Sequence, residues 1–534
     1  MASAIGFSGL ATGLDTEMLI EALLINKQRR VTTINESMDT IEKKKTALSD
    51  LDRILGVLDS AATDLSEVLF DNKSVSSSDE DAFTATADAS ASLSAYDLQI
   101  NNLAQKSVIT VGKAQTSSSE VIGAGTINLS FSGNDPISVT LSDGASTLSD
   151  LRDALNDQHG DSLNASIVEV ESGSFQLVIS TDSSGGDWNI FDEGDGGSSS
   201  AIAGFDGTFL DATMPNSGGI TRTQDGKDAE ITLDGITIFR ASNEISDVIT
   251  GVTLNLKRET TGPETLSIAG NQDDMVKGLK EFANAYNDAL KEIDKLSGAE
   301  GIFVGDSSLR SLRSDLQNTL SRSLPAMDLL NTRDDGSVGF TSLAQIGFDS
   351  DRRTGEITLD EEKLREALDE SFSEVENLFK GNYQTSNSNV TYLINTGNAF
   401  HGTMVLDTQN DTATVNGQLF NLIRDGSSLK FADDTAYQGM VFFADASDTN
   451  VTMNISDGIG RAFSDITGAF VDFNGVLDDR KNTLDSDKSR LDDQLLRAEE
   501  IVENERTRLM LIFSKAEQSV SQLQSLQSSL SALG

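Results

Sequence analysis

The chain has 534 residues, no cysteine and a formal net charge of −45, so it is too long for one core and should divide into about three or four domains. The charge argues against nucleic acid and anionic membranes as partners, because both would repel it. The lack of cysteine removes disulfides, thiolate nucleophiles and cysteine-ligated metal sites. The start, Met1-Ala-Ser-Ala-Ile-Gly-Phe, has no basic region followed by an apolar core, and no apolar run approaches the ~20 residues of a membrane span. The chain therefore reads as soluble, and leaving the cell would need a route other than a Sec-type signal.

Residues 1–33 carry Gly6, Gly9 and Gly13 among scattered apolar residues, a poor autonomous helix that predicts a disordered or partner-docking segment. Within it, Asp15 suits an N-cap for a helix through Leu19, Ile20, Leu23 and Leu24. The glycine-rich context offers Leu10, Leu14, Leu19 and Leu23 no local core, which points to docking on a partner. From Ile34 the apolar positions fall at Ile34, Ile41, Leu48, Leu55, Ala62 and Leu69, with Leu51, Leu58 and Leu65 three residues on. That is the a/d seam of a helix that pairs with another helix, expected over 34–72. Lys27, Arg29 and Arg30, then Lys43, Lys44 and Lys45, read as a solvated basic face.

From about residue 75 to 270 the apolar period becomes two, as in Ile127, Leu129 and Phe131, or Phe175, Leu177 and Ile179, or Val252, Leu254 and Leu256. Asp234-Gly235 between two alternating runs predicts a type I′ hairpin. One helix interrupts the strands: Thr147 to Asp150 opens it as a capping box, and Leu148, Leu151 and Leu155 form its buried stripe. The Gly-, Ser- and Asp-rich segment 183–226 reads as loops. These runs group into one β-rich head domain, 73–110 with 225–270, and a second with one helix, 111–224.

Helical period returns over 271–380, and strand period over 381–456 with another hairpin signal at Asn416-Gly417. Residues 457–534 are helical again. There Leu491, Leu495, Ala498, Val502, Leu509, Ile512, Ala516, Leu523, Leu526, Leu530 and Leu533 step by four and three, broken only at Glu505 and Ser519. The two seams are thus Ile34, Ile41, Leu48 and Leu55 at one end and Leu495, Val502, Leu509 and Leu523 at the other. The fold class expected is α+β multidomain, with terminal coiled-coil helices forming a leg and β-rich head domains inserted between them.

Chemistry is sparse. His159 and His401 sit in polar, turn-like settings without a G-x-S-x-G elbow and read as exposed loop residues. Gly9-Leu-Ala-Thr-Gly13 lacks the Lys and Ser/Thr of a phosphate loop. Asp349-Ser-Asp351-Arg-Arg-Thr-Gly355 fails as a calcium loop, because Arg353 fills a ligand position and the glycine is one place late. No catalytic residue, cofactor or metal ligand is assigned, and the chain is expected not to be an enzyme.

The phrase Gly6-Phe-Ser-Gly-Leu-Ala-Thr-Gly-Leu-Asp-Thr-Glu-Met-Leu-Ile-Glu-Ala-Leu-Leu24 resembles the start of the bacterial flagellar filament cap family, hook-associated protein 2. Tyr96 to Ala104, Thr147 to Asn156, Asn164 to Val168, Gln224 to Gly235, Asn243 to Asp247 and Gly251 to Leu254 follow in the family's order. So do Phe282 to Asn287, Gly305 to Leu309, Ile346 to Phe348, Thr354-Gly355 and Leu378-Phe379, giving nearly end-to-end coverage. One departure stands out: in the family the Leu-Phe element is soon followed by the glycine that starts the C-terminal helices, here Gly458, whereas this chain inserts 381–456.

The resemblance implies a cap at the distal tip of a flagellar filament that retains exported flagellin and helps it polymerise. It implies flagellin and filament-tip or hook–filament junction proteins as partners, a homo-oligomeric ring, an export chaperone, and secretion by the flagellar export route to the extracellular flagellum tip. No cofactor, nucleic acid or membrane insertion is implied, and adhesion to surfaces is compatible with it. Two readings compete. A flagellin-like filament subunit shares the helix–β–helix plan but would lack the motif series at 224–254, and an extracellular glycan-binding or glycan-hydrolysing protein could use the β-rich middle.

Overall fold

The structure, a computed structural model, describes residues 15–131, 134–142, 144–186, 190–191, 220–321, 323–445 and 450–531. The chain divides into two compact units, Phe70–Asn271 and a discontinuous unit of Met1–Leu69 with Gln272–Gly534.

The inserted unit holds two β cores. In the first, a five-stranded antiparallel sheet runs in the order Lys73–Ser77, Glu264–Gly270, Ser94–Asn102, Ala229–Leu233, Ile236–Arg240. It shares one core with the three-stranded sheet Glu244–Ile249, Val252–Leu256, Phe83–Ala87, where Phe83, Leu98, Ile231 and Leu266 are fully buried. Leu233 pairs with Ile236 across Asp234 (φ 48) and Gly235 (φ 82), the two positive φ angles of a type I′ turn. The second core joins a four-stranded sheet to a three-stranded one, with Leu148, Leu151 and Leu155 packed among Ile109, Val111, Leu177 and Ile179. Most of 183–226 lies outside the described residues, and its described ends are strand: Ser174–Ser184, Ile190–Phe191 and Ile220–Gln224.

The helices are numbered α1 (Thr16–Glu67), α2 (Leu148–His159), α3 (Gln272–Ser297), α4 (Ser307–Ser321), α5 (Met327–Leu330), α6 (Glu361–Lys380), α7 (Gly458–Val471) and α8 (Val476–Ser531). In α2, the capping box forms as the sequence predicts: Thr147 Oγ1 accepts from Asp150 N at 3.2 Å, and Asp150 Oδ2 accepts from Thr147 N at 2.8 Å.

In the discontinuous unit α1 packs against α3, α7 and α8. Leu48, Leu51, Leu55 and Leu58 are completely buried there. Gly460 lets α7 approach closely, since a Cβ at that position would stand 2.7 Å from Ala62 O. Ser464 Oγ and Thr467 Oγ1 of α7 donate to Asp59 Oδ1 at 3.0 and 2.7 Å, and the Phe463 ring meets Phe282 edge-on at 5.1 Å. Helix α6 breaks at Ser371, where Arg333 reaches Glu370 on one side (2.8 Å) and Glu374 on the other (2.7 Å).

Residues 381–456 fold as one eight-stranded antiparallel sheet around Met404, Leu406, Phe431, Phe442 and Met453. In this sheet Asn416 (φ 52) and Gly417 (φ 78) make another type I′ turn, between paired Val415 and Gln418. The sheet is tied to α7 by two carboxylates. Asp457 accepts from Tyr392 Oη, Asn395 Nδ2 and Phe400 N, and Asp465 accepts from Ala399 N and Arg461 Nε.

Candidate functional site

The surface in question is the pair formed by the first half of α1 and the far half of α8. Helix α1 starts earlier than the seam predicts: Asp15 caps it, its Oδ1 accepting from Met18 N at 3.1 Å. Residues 16–33 are therefore helix rather than an irregular lead-in to 34–72, and the helix ends at Glu67, with a short 3₁₀ turn at Leu69–Asp71. Leu10 and Leu14 lie outside the described residues.

Six ion-pair contacts fix an antiparallel register. Lys481 meets Asp52 and Lys45 meets Asp485, each at 2.5 Å; Lys488 holds Glu42; Lys27 reaches Glu505 at 4.0 Å; Arg506 stands 3.6 Å from both Glu17 and Glu21. As the position falls on α1 it rises on α8, and each partner has the opposite sign. A slipped register would bring like charges together, so the ladder specifies pairing even where each contact is weak. The Lys488 ammonium also holds the Glu42 carboxyl below its ordinary range, and Glu42 raises Lys488 in return.

Between these pairs, Ile20, Leu24, Ile34 and Ile41 of α1 are buried, and on α8 Ala498 is buried while Leu495, Val502 and Leu509 are half-buried. The seam residues Ile34, Ile41, Leu48 and Leu55 thus face their partners. Leu523 does not: it is 65% exposed, as are Leu526 and Leu530 at 58% and 71%. The reason is geometric. In the register set by Lys27–Glu505 and Arg506–Glu17, the described part of α1 runs out near Arg506, so Leu523, Leu526 and Leu530 lie on α8 beyond it. Along α8, Val502, Glu505, Arg506, Leu509 and Phe513 are half-buried, while Ile501 and Ile512 are exposed.

A second stripe lies beside the seam. Ile501, Glu505, Ile512 and Leu523 follow one another on α8, and Leu19, Leu23 and Lys27 follow at intervals of four on α1. The Lys27–Glu505 contact puts both stripes on the same side of the pair, while Arg506 closes the other side on Glu17 and Glu21. Leu19 is 39% exposed and Leu23 57%, beside the buried Ile20 and Leu24. This end is also nearly neutral. Residues 16–33 hold Lys27, Arg29 and Arg30 against Glu17 and Glu21, and 501–531 hold three bases and three acids, in a chain of net charge −45.

Neither histidine is an exposed loop residue. His159 ends α2, and His401 lies on strand His401–Asp407, its Nδ1 2.9 Å from Ser456 Oγ, with burial pushing its pKa down. Ser456 is only 2% exposed, which keeps the hydroxyl away from any substrate. The sequence hid this because the polar neighbours of His401 are strand residues of the insertion.

Comparison with known proteins reports the same plan. The family model for the C-terminus of flagellar hook-associated protein 2 matches residues 226–525, and the model for its N-terminus matches residues 12–107. The chain belongs to the flagellar hook-associated protein 2 family. The B-type flagellar hook-associated protein 2 of Pseudomonas aeruginosa is 28% identical over 379 residues, covering 66% of this chain and 75% of that protein. The flagellar hook-associated protein 2 of Escherichia coli is 27% identical over 397 residues, covering 71% and 81%. A crystal structure of domains of the flagellar cap protein FliD from Escherichia coli shares 29% identity, with a TM-score of 0.48, covering 63% of this chain and 91% of that one.

Proposed function

We propose that this protein caps the distal end of a bacterial flagellar filament, where it retains exported flagellin and promotes its polymerisation, and that it is structural rather than catalytic. It works as a homo-oligomeric ring, travels through the flagellar export route with a chaperone, and sits outside the cell with filament-tip or hook–filament junction proteins as neighbours. The observation that carries the docking part is the exposed stripe of Leu19 and Leu23 beside Ile501 and Ile512, on a part of a strongly acidic chain that is close to neutral. Apolar side chains held in register by a helix pair present a preformed face for other helices, while the acidic remainder keeps the tip soluble and discourages aggregation. Leu10 and Leu14 extend the same reading toward the N-terminus.

The test is the double substitution Leu19→Asp with Leu23→Asp, which leaves Ile20 and Leu24 in the seam. Deleting 1–33 would also strip those seam residues, so the point variant is cleaner. The expected outcome is an unchanged circular dichroism spectrum and melting curve, with flagellin lost to the medium and filaments shortened several-fold in electron micrographs. Filaments of full length would sink the docking assignment.

A further inference from the structure

Away from the leg seam, α1 and α3 leave an open groove between them. On α1, Lys43, Thr46, Asp50, Val57, Ala61 and Asp64 recur at heptad spacing on a face distinct from the one that carries Leu48 and Leu55. On α3, Gly278, Glu281, Ala285, Asp288, Glu292 and Lys295 recur in steps of three and four. The two stripes line adjoining cavities of about 420 and 480 Å³. One is floored by Ala61, Ala285 and Leu65, with Leu69 packed onto Gly278 at one end, and is flanked by Val57, which is 53% exposed. Small residues at heptad spacing on two neighbouring helices form holes into which the larger side chains of a third helix can insert.

The walls of this groove carry charge that the protein leaves unanswered. Asp50, Asp64, Glu281 and Asp288 have no ion-pair partner among the described residues, whereas Glu42, at the edge of the groove, and Asp52 are paired with lysines of α8. Two of the four stand on each helix, so an occupant would meet acid on both sides of an apolar floor. From Lys43 to Asp64 the α1 wall is about 32 Å long at 1.5 Å per residue, enough for an occupant helix of roughly 20 residues.

We propose that the α1–α3 groove is a docking site for an amphipathic, basic α-helix of another protein, its apolar ridge over Ala61 and Ala285 and its Lys or Arg side chains on Asp64, Glu281 and Asp288. The site uses none of the residues assigned to filament docking, so it stands or falls separately from that reading. Because the walls are exposed, affinity depends on ionic strength and falls as salt screens the pairs.

The probe is a synthetic helix of about 20 residues with Leu and Ala at heptad spacing and flanking Lys. A second peptide with Glu at the flanks serves as its control, and fluorescence anisotropy follows binding to the full chain. The Lys peptide binds and the Glu peptide does not. The charge reversal Asp64→Lys with Glu281→Lys, at two exposed positions, weakens binding at least tenfold, and Ala61→Phe abolishes it by filling the floor. If Ala61→Phe disturbs the fold, the charge-reversal pair carries the test alone. Equal affinity for the parent chain and the charge-reversed variant means diffuse attraction to an acidic surface and overturns the proposal, as does absence of binding. If sedimentation shows that Ala61→Phe dissociates an oligomer of the chain itself, the groove belongs to a second copy and the proposal is also overturned.

Discussion

The two halves of α1 are written in the same heptad code and live in different surroundings. In the half nearer Glu67, Leu48, Leu51, Leu55 and Leu58 are fully buried, enclosed by α3 and α7 as well as α8. In the half nearer Thr16 the seam is still covered, with Ile34 at 6% and Ile41 at 9%, but Met18, Leu23 and Ile25 stand 68%, 57% and 54% exposed. A heptad seam specifies that a helix pairs. The number of elements that close round it sets how much burial each residue obtains, and so how stable each half is. Fewer enclosing elements predict the lower local stability for the half nearer Thr16, which suits the proposed docking role.

The largest expected effect breaks that comparison most directly. Leu55→Ala opens a cavity in a site closed by several helices and should cost about 2–5 kcal/mol in denaturant unfolding. Leu23→Ala removes a mostly exposed side chain and should change stability by no more than about 0.5 kcal/mol. If the two substitutions cost the same, the halves do not differ as described.

Much of this was legible in the sequence, for local reasons. Asp234-Gly235 and Asn416-Gly417 require positive φ at consecutive positions, and both turns have it. Thr147 and Asp150 cap α2 through neighbours three residues apart, so no tertiary information was needed. The family resemblance rested on motifs in order along the chain, and the matched models cover 12–107 and 226–525, leaving the motifs at 147–168 outside them. What failed depended on geometry beyond one element. Leu523 continues a spacing that is regular on paper, but in the antiparallel register it lies beyond the described part of α1. His401 reads as a loop residue because its polar neighbours conceal that it is a strand position buried beside Ser456. The α1–α3 stripe escaped notice because its small and acidic residues carry no hydrophobic signal.

A second contrast lies in how the two regions hold charge. Glu374, near the break in α6, is 7% exposed; its carboxylate accepts from Arg333 Nε and Nη2 at 2.7 and 2.9 Å and from Phe340 N at 3.2 Å. The Arg333 hydrogen bonds depress its pKa despite the opposing cost of burial. A carboxyl whose folded value lies below its unfolded value, about 4.3, contributes stability that is present above that value. The contribution is lost as pH falls through the lower folded value. Thermal melts of the parent chain should therefore lose stability over this acid window. Glu374→Gln should be less stable at neutral pH and should flatten the acid-side slope; a slope identical to the parent's would remove Glu374 from the account.

The leg ladder should respond to salt instead. Its contacts are exposed, with Lys27 and Glu505 at 44% and 25% and Lys45 and Asp485 at 29% and 54%, so each contributes little and is open to screening. At 1 M salt the Debye length is about 3 Å, shorter than the Lys27–Glu505 separation. Hydrogen exchange across 16–42 should therefore quicken modestly between low and high salt, while 48–65, held by apolar burial, should not. Lys488→Ala should reproduce part of that change at low salt and add little at high salt, because the substitution and the salt remove the same interaction. If exchange in both halves follows salt equally, the ladder is not what distinguishes the leg, and its lower protection would have to come from its fewer neighbours alone.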